Sequence, residues 1–196
     1  MNEHEKMKNG LWYDANYDPA LIKDRLLAED LCFDYNHVRP SNIGMKTKIL
    51  KQLLPNAQEN ITILSPFYTD YGTNCFIGEH TFINHNVYLM DGATITIGKH
   101  CFIGPNCGLY TANHPFLIDE RNSGLEQALP ITLEDNVWLG ANVTILPGVT
   151  ISEGAVIGAG SVVIKDIPPH VVAVGNPCKV IRTITENDSI QYKEIV

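Results

Sequence analysis

LEDNVWLGANVTILPGVTISEGAVIGAGSVVI, residues 133–164, repeats with a period of six. Leu133, Leu139, Ile145, Ile151, Ile157 and Val163 are its apolar anchors. Four places after each stands a small or β-branched residue: Val137, Val143, Val149, Ala155, Ser161 and Ile167. A period of six is neither the 3.6 of a helix nor the 2 of an alternating strand. It is the period of a coil with short flat sides and a turn at each corner. The anchors point inward and stack coil on coil, the smaller residues fill the corners, and Gly is expected where a corner needs unusual backbone angles. One such coil cannot bury its own apolar face, so the coils must stack into a solenoid.

The same pattern runs upstream. Ile77-Gly78, Ile83-Asn84 and Leu89-Met90 are spaced by six, and Ile97-Gly98, Ile103-Gly104 and Leu109-Tyr110 resume the repeat after a two-residue shift between Ile95 and Ile97. It breaks from about residue 110 to 130, which predicts an inserted loop. Residues 1–59 follow a different rule and are expected to form an N-terminal helical segment. Leu21, Ile22, Leu26, Leu27 and Leu31 have roughly helical spacing, with Asp18 as cap and Pro19 in the first turn. A second helix is expected from Ser41 or Asn42 to Leu54, stopping before Pro55. Residues 60–76 are expected to be an extended lead-in to a solenoid domain of residues 60–183. VVAVG after Pro168-Pro169 reads as a strand, and the tail, 184–196, as helical or loose.

The chain has 196 residues, 44% of them hydrophobic and 18% charged, enough for a folded core without staples. A net charge of −8 argues against nucleic acid, which needs a basic footprint. No apolar run approaches a membrane span, and the polar N-terminus MNEHEKMKNG has no signal-peptide core, so a cytoplasmic location is expected. Cys32, Cys75, Cys101, Cys107 and Cys178 show no C-x-x-C spacing and read as small buried apolar side chains.

Several stretches together resemble one family. These are WYDANYDPALIKDRLLAEDLCFDYNHVRPS (12–41), DYGTNCFIG (70–78), FINHNVYLMD (82–91), TANHPF (111–116), PITLEDNVWLGANVTILPGVTI (130–151) and IGAGSVVIKDIPPHVVAVGNPCKVIR (157–182). They look like the galactoside and maltose O-acetyltransferases, the sugar branch of the hexapeptide-repeat acyltransferases. The resemblance covers residues 6–183. It implies a left-handed parallel β-helix, acetyl-coenzyme A as co-substrate, a sugar hydroxyl as acceptor, no metal requirement, and a homotrimer with sites between subunits.

Carried over residue by residue, the resemblance makes His114 of TANHP the general base. A neutral imidazole can take a hydroxyl proton as attack on a thioester begins. Asn84 of FINHN would stand beside the acceptor hydroxyl and help stabilise the transition state. Asp14, Arg25, Asp70, Phe82 and Asn84 would form the acceptor pocket. Trp138 would flank the thioester. Backbone around Gly140, Ala141, Ala159 and Gly160 would bond the pantetheine arm, and Ile164 would follow at the coil corner, where a threonine is common. Lys165, Lys179 and Arg182 would meet the coenzyme phosphates. One position departs from the galactoside pattern. Two carboxylates are usual after the coil that holds Asn84, and here the pair is Asp91-Gly92.

Three other readings compete. A hexapeptide acetyltransferase can act on serine or a xenobiotic. A zinc protein like the gamma-class carbonic anhydrases would use histidines such as His80, His85, His100 and His114, although His80 and His100 fall at polar corner positions and should be exposed. A non-catalytic trimeric scaffold would bind no coenzyme.

Overall fold

A computed structural model of the chain describes residues 1–190. Three helices and a short strand precede the repeat: α1 (Glu3–Lys8), β1 (Tyr13–Asp14), α2 (Pro19–His37) and α3 (Ile43–Leu53). Asp18 caps α2, accepting from the amides of Ala20 and Leu21, and Asn42 caps α3 through the Met45 amide. Both caps satisfy first-turn donors that the helix cannot satisfy itself. Helix α1, closed by an Asn2–Glu5 capping box, is an addition to the expected elements.

The repeat forms a parallel β-helix. Its first coil is β2 (Thr62–Ile63), β3 (Phe67–Thr69) and β4 (Cys75–Ile77). The second is β5 (Phe82–Ile83), β6 (Val87–Met90) and β7 (Ile95–Ile97). The third holds β8 (Phe102–Ile103) and β9 (Gly108–Tyr110), then leaves the repeat through β10 (Ala112–Asn113), α4 (Ile118–Asn122) and β11 (Leu125–Ala128), and closes on β12 (Ile131–Leu133). Next come β13 (Trp138–Leu139), β14 (Thr144–Ile145) and β15 (Thr150–Ile151). Then β16 (Val156–Ile157), β17 (Val162–Val163) and β18 (Val171–Val174) follow, and β19 (Lys179–Thr183) folds back antiparallel on β18. The coils stack into three sheets, ordered β15-β12-β7-β4, β19-β18-β16-β13-β8-β5-β2 and β17-β14-β9-β6-β3.

All six anchors from Leu133 to Val163 are fully buried, as are Val137, Val143, Ala155 and Ser161. Residues 60–76, expected as a lead-in, already form a complete coil, because β2, β3 and β4 pair in register with β5, β6 and β7. Gly72 joins that coil to the helices. Its φ is +72°, and a Cβ there would sit on the Leu53 carbonyl oxygen at the end of α3. Beyond Thr183 the tail makes a single 3-10 turn, Glu186–Asp188, and residues 191–196 lie outside the described part.

Gly serves several corners as expected, with φ of 82°, 65° and 72° at Gly148, Gly154 and Gly160. Many left-handed corners belong to His and Asn: His80, Asn86, His100, Asn106, Asn136, Asn142 and His170 all have φ between 54° and 62°. Short polar side chains tolerate this region best among non-Gly residues. The repeat glycines that follow the anchors serve a different purpose. A Cβ on Gly104 would strike the Gly140 backbone, and one on Gly140 would strike Ala159, so these positions let neighbouring coils approach. Cys32, Cys75, Cys101 and Cys107 are buried and Cys178 is half-buried, all as free thiols.

Candidate active site

The excursion from the third coil carries His114. Strands β10 and β11 pair antiparallel, and β1 joins their other side, giving a three-stranded sheet ordered β1-β11-β10. This sheet ties the N-terminal segment to the inserted loop. Neither the six-residue period nor helical spacing signals it.

His114 follows β10. Its Nδ1 lies 3.0 Å from the Leu125 carbonyl oxygen. A carbonyl only accepts, so Nδ1 carries the proton in the neutral ring and Nε2 presents its lone pair. That is the tautomer a base needs. The Nε2 atom stands 3.9 Å from Glu126 Oε2, and about half of the His114 side chain is exposed.

The Glu126 carboxylate accepts a hydrogen bond from the Tyr13 hydroxyl. Burial, reinforced by the Glu126 charge, pushes the Tyr13 phenol far above its ordinary value, so it remains a donor. Gly92 explains the fit. A Cβ there would lie 3.0 Å from the Tyr13 oxygen and 3.3 Å from Glu126 Oε1. The carboxylate missing at position 92 thus leaves space that Tyr13 and Glu126 occupy.

Arg25, on α2, donates to the Tyr71 hydroxyl at 2.8 Å and to the Ala15 carbonyl at 2.6 Å. These bonds hold α2 and the β1 segment against the β-helix. Asp70, after β3, accepts from the Tyr88 hydroxyl. Arg25 and Asp70 line a cleft of about 490 Å³ with Glu29, Cys32, Tyr68 and Tyr88. Asp14, in β1, accepts from the Tyr17 amide at 2.9 Å and is not among the residues that line this cleft.

Burial raises Asp70 to about 6, with the Tyr88 hydrogen bond and Arg25 opposing and Asp91 and Glu126 reinforcing the rise. Folded Asp70 therefore holds its proton more tightly than the unfolded chain does. Its linkage favours folding at low pH and is lost as pH rises from the ordinary value of 3.8 to about 6. Asp70→Asn should remove this penalty while keeping an acceptor for Tyr88. The variant should be more stable than wild type by about 2 kcal/mol at pH 7.5, and the gap should close toward pH 4. Urea melts across that range check it; a gap independent of pH would contradict it.

The other expected acceptor residues lie elsewhere in the single chain. Phe82 is on the seven-stranded face, tilted against Phe102 at 6.4 Å between ring centroids. Asn84 follows β5, and its side-chain oxygen accepts from the His85 amide at 2.7 Å, which leaves its NH2 group as the donor end. Among the described residues, no hydrogen bond or ion pair links Phe82 or Asn84 to His114, Arg25 or Asp70.

Residues 6–58 match the maltose acetyltransferase hexapeptide capping motif, residues 130–165 the bacterial transferase hexapeptide (six repeats), and residues 94–111 the hexapeptide repeat of succinyl-transferase. A putative acetyltransferase of Staphylococcus aureus is 54% identical over 188 residues, 96% of this chain and 94% of the relative. The chain belongs to the hexapeptide-repeat acetyltransferases. A maltose O-acetyltransferase of Clostridium difficile superposes with a TM-score of 0.92 at 43% identity, over 95% of this chain and 99% of that one. A galactoside acetyltransferase in complex with coenzyme A gives a TM-score of 0.92 at 37% identity, over 100% and 97%.

The coenzyme residues expected of this acetyltransferase gather on the seven-stranded face and the neighbouring corner. Trp138 stands in an outward column with Phe82, Phe102, Val156 and Val172, and β19 places Arg182 opposite Val172. Phe102 and Trp138 are 56% and 54% exposed. Three strand steps separate Trp138 from Arg182, about 14 Å at normal spacing. Lys179 is exposed on the same β19, and Ile164 and Lys165 are exposed after β17. Arg182 is engaged by Asp188 at 2.8 Å.

The Gly140 amide donates to Ile157 and the Gly160 amide to Ala141, both at 2.8 Å, so these N–H groups serve the chain's own ladder. A pantetheine arm would have to use other backbone groups near Ala141 and Ala159. His80 and His100 are exposed and stack on each other at 5.0 Å, and His85 packs on the Ser65 carbonyl. Among the described residues no three His, Cys, Asp or Glu side chains come together as metal ligands. Among them too, no helix is long and apolar enough to cross a membrane.

Sequence reasoning left Glu126 without a role and passed over Tyr13, Tyr71 and Tyr88. The signal for Glu126 is its opposition to His114 across a strand pair, which requires knowing that β10 and β11 are neighbours.

Proposed function

We propose that this acetyltransferase moves the acetyl group of acetyl-coenzyme A to a hydroxyl of a sugar, by direct attack with His114 as general base. The observation that carries the reading is the His114 ring itself, whose Nδ1 is committed to the Leu125 carbonyl and whose Nε2 is left free to accept. The acceptor hydroxyl gives its proton to Nε2 as its oxygen attacks the thioester carbonyl. The tetrahedral intermediate breaks its carbon–sulfur bond, and the imidazolium returns the proton to the departing thiolate. The products are the acetyl ester and free coenzyme A, with no acyl-enzyme.

Arg25 and Asp70, in a cleft beside His114's sheet, supply polar groups for sugar hydroxyls, with Asp14 on the β1 strand of that sheet. Asn84 and Phe82 belong to the same site when a second copy packs its His114 against the first copy's seven-stranded face. The half-exposed aromatic column there supports such packing, since an apolar stripe on a polar surface marks a contact. The assembly is a homotrimer with sites between neighbours. The coenzyme lies along that column, its thioester near Trp138 and its phosphates near Lys165, Lys179 and Arg182.

Free-thiol release from acetyl-coenzyme A, measured against a panel of sugars, serine and simple alcohols, tests the reaction. Sugar-dependent release is expected. Release with none of the acceptors, from protein that is folded and trimeric, would overturn the acetyl-transfer reading.

A further inference from the structure

Tyr13, Glu126 and His114 form one row across the three-stranded sheet. The β1–β11 register sets Tyr13 opposite Glu126. The β10–β11 register sets Asn113 opposite Gln127, and His114, the next residue, brings its Nε2 to 3.9 Å from Glu126 Oε2. Directly opposed residues share a face of the sheet, and His114 reaches Glu126 there, so the three side chains point into the same space.

The polarity of that row is unbalanced. Tyr13 donates to Oε1 of Glu126. The other oxygen, Oε2, faces His114 Nε2 across 3.9 Å. With Nδ1 protonated toward Leu125, Nε2 is an acceptor, and a carboxylate oxygen accepts as well. Two acceptors side by side have nothing to exchange. The ligand that satisfies both has two donors a short distance apart.

We propose that Glu126 Oε2 binds a second hydroxyl of the acceptor while His114 Nε2 takes the first, so that the acceptor is a vicinal or 1,3-diol and not an isolated alcohol. The inference rests on the acetyl-transfer reading above and narrows its substrate class. Tyr13 sets the geometry. It is fully buried, and by holding Oε1 it keeps Oε2 turned toward the base. Gly92 keeps the row intact, since a side chain there would press on both the phenol and the carboxylate. The diol also orients itself, because two hydrogen bonds determine which of its hydroxyls meets Nε2.

The test uses the intact enzyme, a methyl hexopyranoside that it acetylates, and the monodeoxy derivatives that lack each remaining hydroxyl in turn. Thiol release gives kcat and KM for wild type and Glu126→Gln. A hydrogen bond to a charged group corresponds to roughly 10–100-fold in affinity. In wild type, one deoxy sugar should lose about that factor in kcat/KM. Glu126→Gln should lose a similar factor on the parent sugar, chiefly in KM, and under about threefold on that one deoxy sugar. Glu126→Asp should recover part of the loss, and coenzyme binding and thermal unfolding should match wild type. Equal losses on all sugars, or no loss, would overturn the role of Glu126 while leaving acetyl transfer standing. Absence of transfer to any hydroxyl compound by wild type would instead remove the underlying reading.

Discussion

His114→Ala should lower kcat by roughly 10²–10⁴-fold with little change in the KM for acetyl-coenzyme A. A loss in the middle of that range corresponds to about 4 kcal/mol of transition-state stabilisation. The effect should fall on kcat because a base acts only as the proton leaves, whereas coenzyme contacts form before it. The half-exposed ring is not part of the core, so the fold should survive the change. Losing the donor to the Leu125 carbonyl is a separate matter, since that bond can also hold the loop. His114→Asn retains an amide donor but no base, and it should be as impaired as alanine. Near-normal activity in either variant, measured by thiol release with the best sugar, would remove His114 from the chemistry.

Asp91→Ala should cost the fold about 4 kcal/mol, a large fraction of the stability of an ordinary domain. Asp91 is fully buried. Its Oδ1 accepts from the Thr69 hydroxyl at 2.7 Å and from the amides of Asp70 and Tyr71 at 3.1 and 2.8 Å, and its Oδ2 from the Asn74 amide at 3.2 Å. These bonds hold the turn from β3 to β4, where Gly72 meets the end of α3. Burial raises the Asp91 carboxyl above its ordinary value, and the hydrogen bonds pull it back down. Alanine would leave the buried Tyr71 amide and the part-buried Asp70 and Asn74 amides without this acceptor, and an unsatisfied buried donor costs about 1–3 kcal/mol. The expected result is a fall in Tm of about 10 °C at fixed protein concentration. Asp91→Asn should fall between, because its carbonyl can serve Oδ1's partners while its NH2 faces the Asn74 donor. A fall of under about 2 °C for alanine would show that water can replace the carboxylate.

The same residue clarifies the one departure from the galactoside pattern. From sequence, Asp91-Gly92 looked like an acceptor pair with one member lost. In the structure Asp91 braces the backbone, and Gly92 makes room for the Tyr13–Glu126 bond. A carboxylate therefore does stand beside position 92, delivered from a strand 34 residues further along the chain.

Sequence reasoning reached far into the β-helix. The six-residue period named the inward anchors one by one, the break after Leu109 located the loop, Asp18 was visible as a helix cap, and the start of α3 was placed at Ser41 or Asn42. The resemblance picked out His114, which the fold places just after β10 at the end of the β10–β11 pair. Glycine is ambiguous in the repeat, because a tight coil-to-coil approach, as at Gly104 and Gly140, and an unusual φ, as at Gly148 and Gly154, leave the same letter in a sequence. The first coil was also missed: Ile63, Phe67 and Cys75 keep the spacing of Ile83, Val87 and Ile95, but Phe67 is bulky where the pattern has a small or β-branched residue, and polar Thr69 stands where the next coil has Leu89.

The local order of the chain was legible because it is periodic. Each coil buries its anchors against the next in the same way, and a repeated physical demand writes a repeated pattern. The three-stranded sheet answers a single demand. It joins Tyr13 to Glu126 across 113 residues, and Glu126 to His114 across the loop. Its strands are too short to show an alternation, and its partners meet only once the β-helix has placed β9 and β12 on successive faces of the coil that the excursion interrupts. That long-range pairing decides which tautomer His114 presents, and it decides which carboxylate faces its imidazole.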